Sequence, residues 1–299
     1  MPDLTKKALA ARGLSPVHCR IPGNFSLIGT YLRYALLGFI LILLGPLGCN
    51  SGSQTTSPAS RPLCIAGSTS VQPFAEKLAE IYMHHHPSAR IDVQGGGSSA
   101  GIYAATHGAA DLGASSRELI GKEKKLIEIP IAYDGIALIV HPTNPLTNIT
   151  LTQIRKIFRG AVKNWGALGL PPHAIDLITR EEGSGTREAF EHLVMNKHEI
   201  TPAALVQDSN GSVREIVAGD PYSLGYISAG LVNHRVKALA IDGVLPTSAN
   251  IKNHTYKLRR RFLLLARTKP TGSCDAFLKF VLSPQGQKIL ENEGLVGVH

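Results

Sequence analysis

The sequence predicts an α/β protein. Short apolar segments of strand length alternate with amphipathic segments of helical period from residue 62 to the end, which is the signature of strands covered by helices. Turns rich in glycine and hydroxyl residues join strand ends to helix starts, and one apolar run near the middle is longer than an ordinary strand. No repeat at a fixed period is present, so the fold is not a solenoid.

The elements follow in order. Residues 63–66 form a short apolar strand, and 71–85 carry Phe74, Leu78, Ile81 and Tyr82 at helical spacing. A strand over 90–94 leads through three glycines to a helix over 99–106, and 111–114 is a further short buried segment. The run 129–141 is nearly all apolar and is read as a segment passing from one domain to another. Beyond Pro142 the alternation resumes with helix 152–158, strand 174–179, helix 187–195, helix 212–218 and strand 223–228. Strand 262–266 and helix 275–293, interrupted at Ser283-Pro284, close the chain. The basic run Lys257 to Arg261 is read as the solvated end of a strand.

Residues 1–48 are read as targeting rather than structure. An uncharged apolar run of 13 residues, 35–47, follows Arg33 and ends at Leu47-Gly48-Cys49. It is too short to span a bilayer. The pattern resembles a bacterial lipoprotein signal with lipidation at Cys49, the alternatives being an ordinary cleaved leader or an uncleaved anchor; the polar residues 49–61 read as a tether. The leader holds Lys6, Lys7, Arg12, Arg20 and Arg33 against Asp3 alone, so its removal lowers the net charge from +9 to +5. That excess favours anions on approach, but the basic residues are scattered and do not form a nucleic-acid surface. Cys64 and Cys274 then remain as an even pair, either a disulfide or two buried thiols. His84-His85-His86 sits at a helix end, where basic groups complement the dipole, and is not read as a metal site.

Three separated loops carry the functional signal: Gly67-Ser68-Thr69-Ser70, Gly95-Gly96-Gly97-Ser98-Ser99 and Gly183-Ser184-Gly185-Thr186-Arg187. Each offers small hydroxyls, glycines that admit close backbone approach, and free N–H groups at a helix start, which together suit an oxyanion. Ser68, Thr69, Ser70, Ser98, Ser184, Thr186 and the Gly185 amide are the candidate donors. Arg180 stands just before the third loop, where its fork can grip two oxygens, with Glu182 able to hold its plane. A plain helix N-cap is the competing role for any single hydroxyl.

With these residues in view, the chain resembles the substrate-binding lipoproteins of bacterial phosphate ABC importers. The segments IAGSTSVQPFAEKLAEIY, VQGGGSSAGI, ADLGASSREL, YDGIALIVHPTNP, IFRGAVKNWGALG, ITREEGSGTREAF and LGYISAGLV carry the likeness in family order. The resemblance implies a two-lobe periplasmic-binding-protein fold of type II, with two interdomain crossovers and a ligand cleft between lobes. It implies lobe 1 over 62–138 plus 266–299 and lobe 2 over 139–265. It implies phosphate held by Thr69, Ser70, Ser98, Arg180, Ser184, Gly185 and Thr186, with Ser68 as a neighbour. It further implies a monomer without enzymatic activity or cofactor, a lipid anchor, and permease subunits as partners. ATP hydrolysis belongs to another subunit, since no Gly-Lys-Ser/Thr phosphate loop is present.

One departure bears on selectivity. Some relatives place an aspartate after the serine of the segment matching Gly113-Ala114-Ser115, as acceptor for the proton on phosphate; here Ser116 and then Arg117 stand there. Asp134 is the nearest substitute acceptor, with a hinge or cap hydrogen bond as its alternative role. Ser116 and Arg117 are further candidate contacts, Arg117 alternatively pairing with Glu118 or another acid. Three competing functions stand beside phosphate import: binding of sulfate, molybdate or arsenate, a serine hydrolase using Ser99 in Gly97-Ser98-Ser99-Ala100-Gly101, and a surface adhesin or phosphate sensor without a transporter.

Overall fold

The computed structural model describes residues 61–299. The expected leader, Cys49 and the tether up to residue 60 lie outside the described residues. The chain opens with β1 (Leu63–Gly67), α1 (Gln72–His85), β2 (Ile91–Gly95), α2 (Ser98–His107) and β3 (Leu112–Ser115). Here β1 pairs in parallel with both β2 and β3, so each connecting helix is a crossover. α1 buries Phe74, Ala75, Leu78, Ala79 and Tyr82, while Ile81 of the expected face is only partly covered.

β4 (Ile127–Val140) is a single 14-residue strand. Beyond it come β5 (Asn148–Ile149), α3 (Leu151–Phe158), β6 (Asp176–Arg180), α4 (Gly185–Phe190), β7 (Leu205–Gln207), α5 (Asn210–Gly219) and β8 (Ser223–Ser228). The chain ends with β9 (Lys237–Ala238), β10 (Ala240–Ile241), α6 (Ser248–Lys252), β11 (Arg259–Ala266), α7 (Gly272–Val281) and α8 (Pro284–Asn292). The break expected at Ser283-Pro284 separates the last two helices, with Ser283 Oγ accepting from Gly286 N at 3.2 Å as the cap of α8.

A nine-stranded sheet runs in the order β2-β1-β3-β11-β4-β8-β6-β7, with β9 also on β4. β4 changes partner along its length: residues 127–135 pair antiparallel with β11, and 136–140 with β8. The long apolar run therefore lends its first part to one hydrophobic core and its second part to another. One core gathers β1, α1, β11 and the last two helices around Ile65, Phe74, Leu78, Phe262 and Phe277. The other gathers α3, α4, β8 and the second half of β4 around Leu138, Phe158, Phe190 and Tyr226. Alternate residues of β4 feed opposite faces, Ile136, Leu138 and Val140 on one and Ala137 and Ile139 on the other. A strand buried on both sides has no polar face, which is why residues 136–140 read as unbroken apolar sequence.

Two expectations change here. β11 begins at Arg259 rather than 262, so most of the basic run is sheet rather than a solvated end. Its pairing with β3 and with the first part of β4 sets residues 259–265 beside strands of the range expected for lobe 1 rather than of 139–265, with Phe262 and Leu264 in the first core and Leu263 and Leu265 packed against Ile102 and Leu126. The backbone ladder, which hydropathy does not record, decides this. Among the described residues Cys64 and Cys274 form no disulfide, and burial pushes the Cys274 thiol up to about 11.

Candidate anion-binding site

The three glycine-hydroxyl loops meet at the join between the two cores. The first loop turns directly from β1 into α1, with Val71 N and Gln72 N both donating to Ser68 O at 3.0 and 2.9 Å. Its side chains face inward: Ser68 and Ser70 are buried. The second loop enters α2, which lies close on β1 because Gly101 faces it; a Cβ there would stand 2.5 Å from Ala66 O. This close approach explains Gly101, the last glycine of the hydrolase-like motif, as packing. The third loop leaves β6 at Arg180 and starts α4, with Ser184 Oγ accepting from Arg187 N at 3.3 Å. Ser184 thus acts as a helix cap, the competing role foreseen for such hydroxyls.

The remaining hydroxyls form one connected network. Ser70 Oγ and Thr186 Oγ1, from different halves of the sheet, lie 2.7 Å apart. Ser68 Oγ donates to Ser116 Oγ at 2.8 Å, and Ser98 Oγ accepts from Ser116 N at 3.1 Å. Gly185 is packed against the same pair, since a Cβ on it would meet Ser98 Oγ at 2.1 Å and Ser116 Oγ at 2.7 Å. Arg180, 1% exposed, donates from Nη2 to Thr69 Oγ1 at 3.0 Å and to Asp208 O at 3.1 Å. Its Nε and Nη2 also bind the Glu181 carboxylate, each at 2.9 Å, while its buried Nη1 has no hydrogen-bond partner among the described residues.

Two members of the cluster escaped the sequence reading. Arg260, taken there as part of a solvated run, is buried, and donates to Thr186 Oγ1 at 2.9 Å and to Ser70 Oγ at 3.3 Å. Asn210, first residue of α5, donates to Ser70 Oγ at 2.9 Å and accepts from Ser228 N at 3.0 Å. The stretch Ser209-Asn210-Gly211-Ser212 is itself a hydroxyl and glycine turn opening a helix, the same signal as the three loops recognised. For Arg260 the signal was Asp134: an acid inside an apolar strand requires a buried cation.

Asp134 does not reach the hydroxyls directly. Its Oδ1 accepts from Ser228 Oγ at 2.9 Å and its Oδ2 from Arg260 Nε at 2.9 Å, so it acts on the cluster through Arg260. Burial pushes the Asp134 carboxyl up and the Arg260 guanidinium down, and their pairing opposes both shifts. Burial likewise pushes the Tyr226 hydroxyl up to about 12 while it bonds Thr179 Oγ1 at 2.8 Å behind Arg180. Two further expectations fall away. Glu182 is exposed, and it is Glu181 that holds the plane of Arg180, because the strand ends there and the next residue turns outward. Arg117 spends its donors on Glu123, Glu118 O and Ser99, and its Nε pairs with Glu188 at 2.6 Å. Ser99 Oγ donates to Glu188 Oε1 at 3.1 Å, and among the described residues no histidine is its partner, so the hydrolase reading finds no base there.

Both carboxylates of the cluster, Asp134 and Glu181, are bound by arginines, so what remains to meet a ligand is hydroxyls, an amide and one guanidinium nitrogen. Such a set stabilises an anion and repels no negative charge.

The comparisons with known proteins agree with this chemistry. A profile of the PBP superfamily domain matches residues 52–285. The phosphate-binding protein PstS of Bacillus subtilis is 34% identical over 247 residues, covering 80% of this chain and 82% of that one. PstS of Pseudomonas aeruginosa is 31% identical, covering 81% and 85%. A putative phosphate ABC transporter substrate-binding protein from Clostridium perfringens, solved with bound phosphate, is 40% identical with a TM-score of 0.77, covering 80% of this chain and all of that one. An ABC-type phosphate transport receptor from Vibrio cholerae is 37% identical with a TM-score of 0.67, covering 78% and 99%. The chain belongs to the periplasmic-binding-protein superfamily and, within it, to the PstS family of phosphate-binding proteins.

Proposed function

We propose that this protein binds inorganic phosphate outside the cytoplasm and hands it to the permease of an ABC importer, acting as a carrier and not as an enzyme. The observation that carries this reading is the meeting of Ser70, Thr186 and Arg260 across the join of the two cores. Thr69, Ser70, Ser98 and Thr186 supply hydroxyl dipoles, Asn210 an amide, and Arg180 the unspent Nη1. Dipoles can replace the water around a tetrahedral ion without the desolvation cost of gathering many full charges. Ser68, Ser116 and Gly185 shape the wall on the α2 side. Asp134 orients Arg260 rather than accepting from the ligand, so the proton of monohydrogen phosphate is received by a hydroxyl oxygen, which can both donate and accept.

The two cores act as lobes that rotate about β4 and the segment entering β11, opening the cluster to admit the ion and closing on it. An ion touching both lobes stabilises the closed form by its differential contacts. The closed protein, a monomer held to the membrane by lipid on Cys49 and the tether after it, then docks on permease subunits.

Isothermal titration of the mature chain, stripped of bound anion, with phosphate, arsenate, sulfate and molybdate tests the assignment. Phosphate should bind, and Thr186→Val should weaken it about 100-fold with the circular dichroism spectrum unchanged, since a buried oxyanion contact is lost. Absence of heat with phosphate, or tighter binding of sulfate, defeats the reading.

A further inference from the structure

Arg117 follows β3 in the first core and Glu188 lies on α4 in the second, yet their side chains meet at 2.6 Å. The contact is a closed triangle. Arg117 Nη2 donates to Ser99 Oγ at 3.2 Å, and Ser99 Oγ donates to Glu188 Oε1 at 3.1 Å, while Glu188 Oε2 faces Arg117 Nε. Beside it, Ser99 N donates to Gly183 O at 3.1 Å, a backbone bond between the second and third loops. The guanidinium is aimed from behind: Glu123 takes Nη1 at 2.7 Å and Nη2 at 3.0 Å, and is itself fixed by Ile120 N at 2.9 Å. None of these side chains bonds Thr69, Ser70, Thr186 or Arg180.

We propose that Arg117, Ser99 and Glu188 form a clasp between the lobes that sets how long phosphate is retained, without contacting the ion. The proposal rests on the closure reading above. It assigns positioning roles to residues that the ligand chemistry leaves unused. Three features favour a clasp over a chance surface pair. Arg117 is only 6% exposed and Glu188 30%, so the pair is shielded from bulk solvent on one side. Glu123 pre-orients the guanidinium, so closure orders one flexible side chain rather than two. The partners sit on segments whose strands belong to different ends of the sheet, so opening must separate them.

A contact made only in the closed state slows release and leaves capture nearly unchanged. The test is stopped-flow release of phosphate from the full mature chain into a phosphate trap, with Glu188→Gln, Ser99→Ala and Arg117→Met compared with the native protein. Glu188→Gln should raise the release rate by about fivefold to tenfold and change the capture rate less than about twofold. The pair Arg117→Met with Glu188→Gln should cost little more than either alone. The clasp also predicts a melting point lowered by Glu188→Gln with phosphate present and not without it. Unchanged release, or equal losses of melting point with and without phosphate, would overturn the clasp and leave the binding assignment standing. A native protein that captures no phosphate overturns both.

Discussion

A methyl group at position 185 has nowhere to go: Ser98 Oγ and Ser116 Oγ occupy its place at 2.1 and 2.7 Å. These oxygens are held by hydrogen bonds and cannot retreat cheaply. Because the clash arises between the two cores, Gly185→Ala should obstruct closure rather than folding. Phosphate affinity should fall roughly 10- to 100-fold by calorimetry while the ligand-free melting point stays put; unaltered affinity would show that the cluster does not need this approach. The same scale explains an omission of the sequence reading. Thr186 and Ser70 lie in recognisable loops and Arg180 just before one, whereas Arg260 is one of three successive arginines that look alike in one dimension.

On β11 those arginines part company, because successive side chains of a strand leave opposite faces. Arg260 goes inward to Asp134, while Arg259 lies over the Tyr133 ring at 3.6 Å and Arg261 meets Glu118 and, at 2.8 Å, Glu128. The hydrogen bond from Arg261 holds the Glu118 carboxyl below its ordinary 4.5, and Arg117 does the same for Glu123. A carboxylate depressed on folding adds stability that is complete above 4.5 and is lost as pH falls through its lower folded value. The urea midpoint should therefore hold down to about pH 5 and decline below it, with a shallower decline for Glu118→Gln combined with Glu123→Gln. A variant curve parallel to the native one would remove these elements from the acid response. The contribution is modest, since Glu118 remains 58% exposed and solvent screens its partner.

For the whole molecule, ligand and stability are coupled. An anion that binds only the folded, closed form stabilises it by RT ln(1 + [L]/Kd), about 2.7 kcal/mol at a free concentration about 100 times Kd. Calorimetric melting should therefore rise with added phosphate in the native chain and, at the same concentration, rise far less in Thr186→Val, whose roughly 100-fold weaker binding leaves only about 0.4 kcal/mol. A rise of equal size with sulfate would argue for general salt stabilisation instead.

The division between what was legible and what was not has a physical basis. Local sequence by itself determined the α/β alternation, the helix break at Ser283-Pro284, and the glycine-hydroxyl loops, because turns, caps and periodicity are governed by residues a few positions apart. It also singled out Asp134 as a candidate acceptor, without saying which buried cation answers it. Only the tertiary structure decided that Arg260 answers it, that Glu181 rather than Glu182 steadies Arg180, that Asn210 joins the cluster, and that Arg117 turns to Glu188. Each of these depends on which strand lies beside which and on which face a side chain leaves, and the sheet brings together residues more than 100 positions apart, such as Asp134 and Arg260, 126 apart.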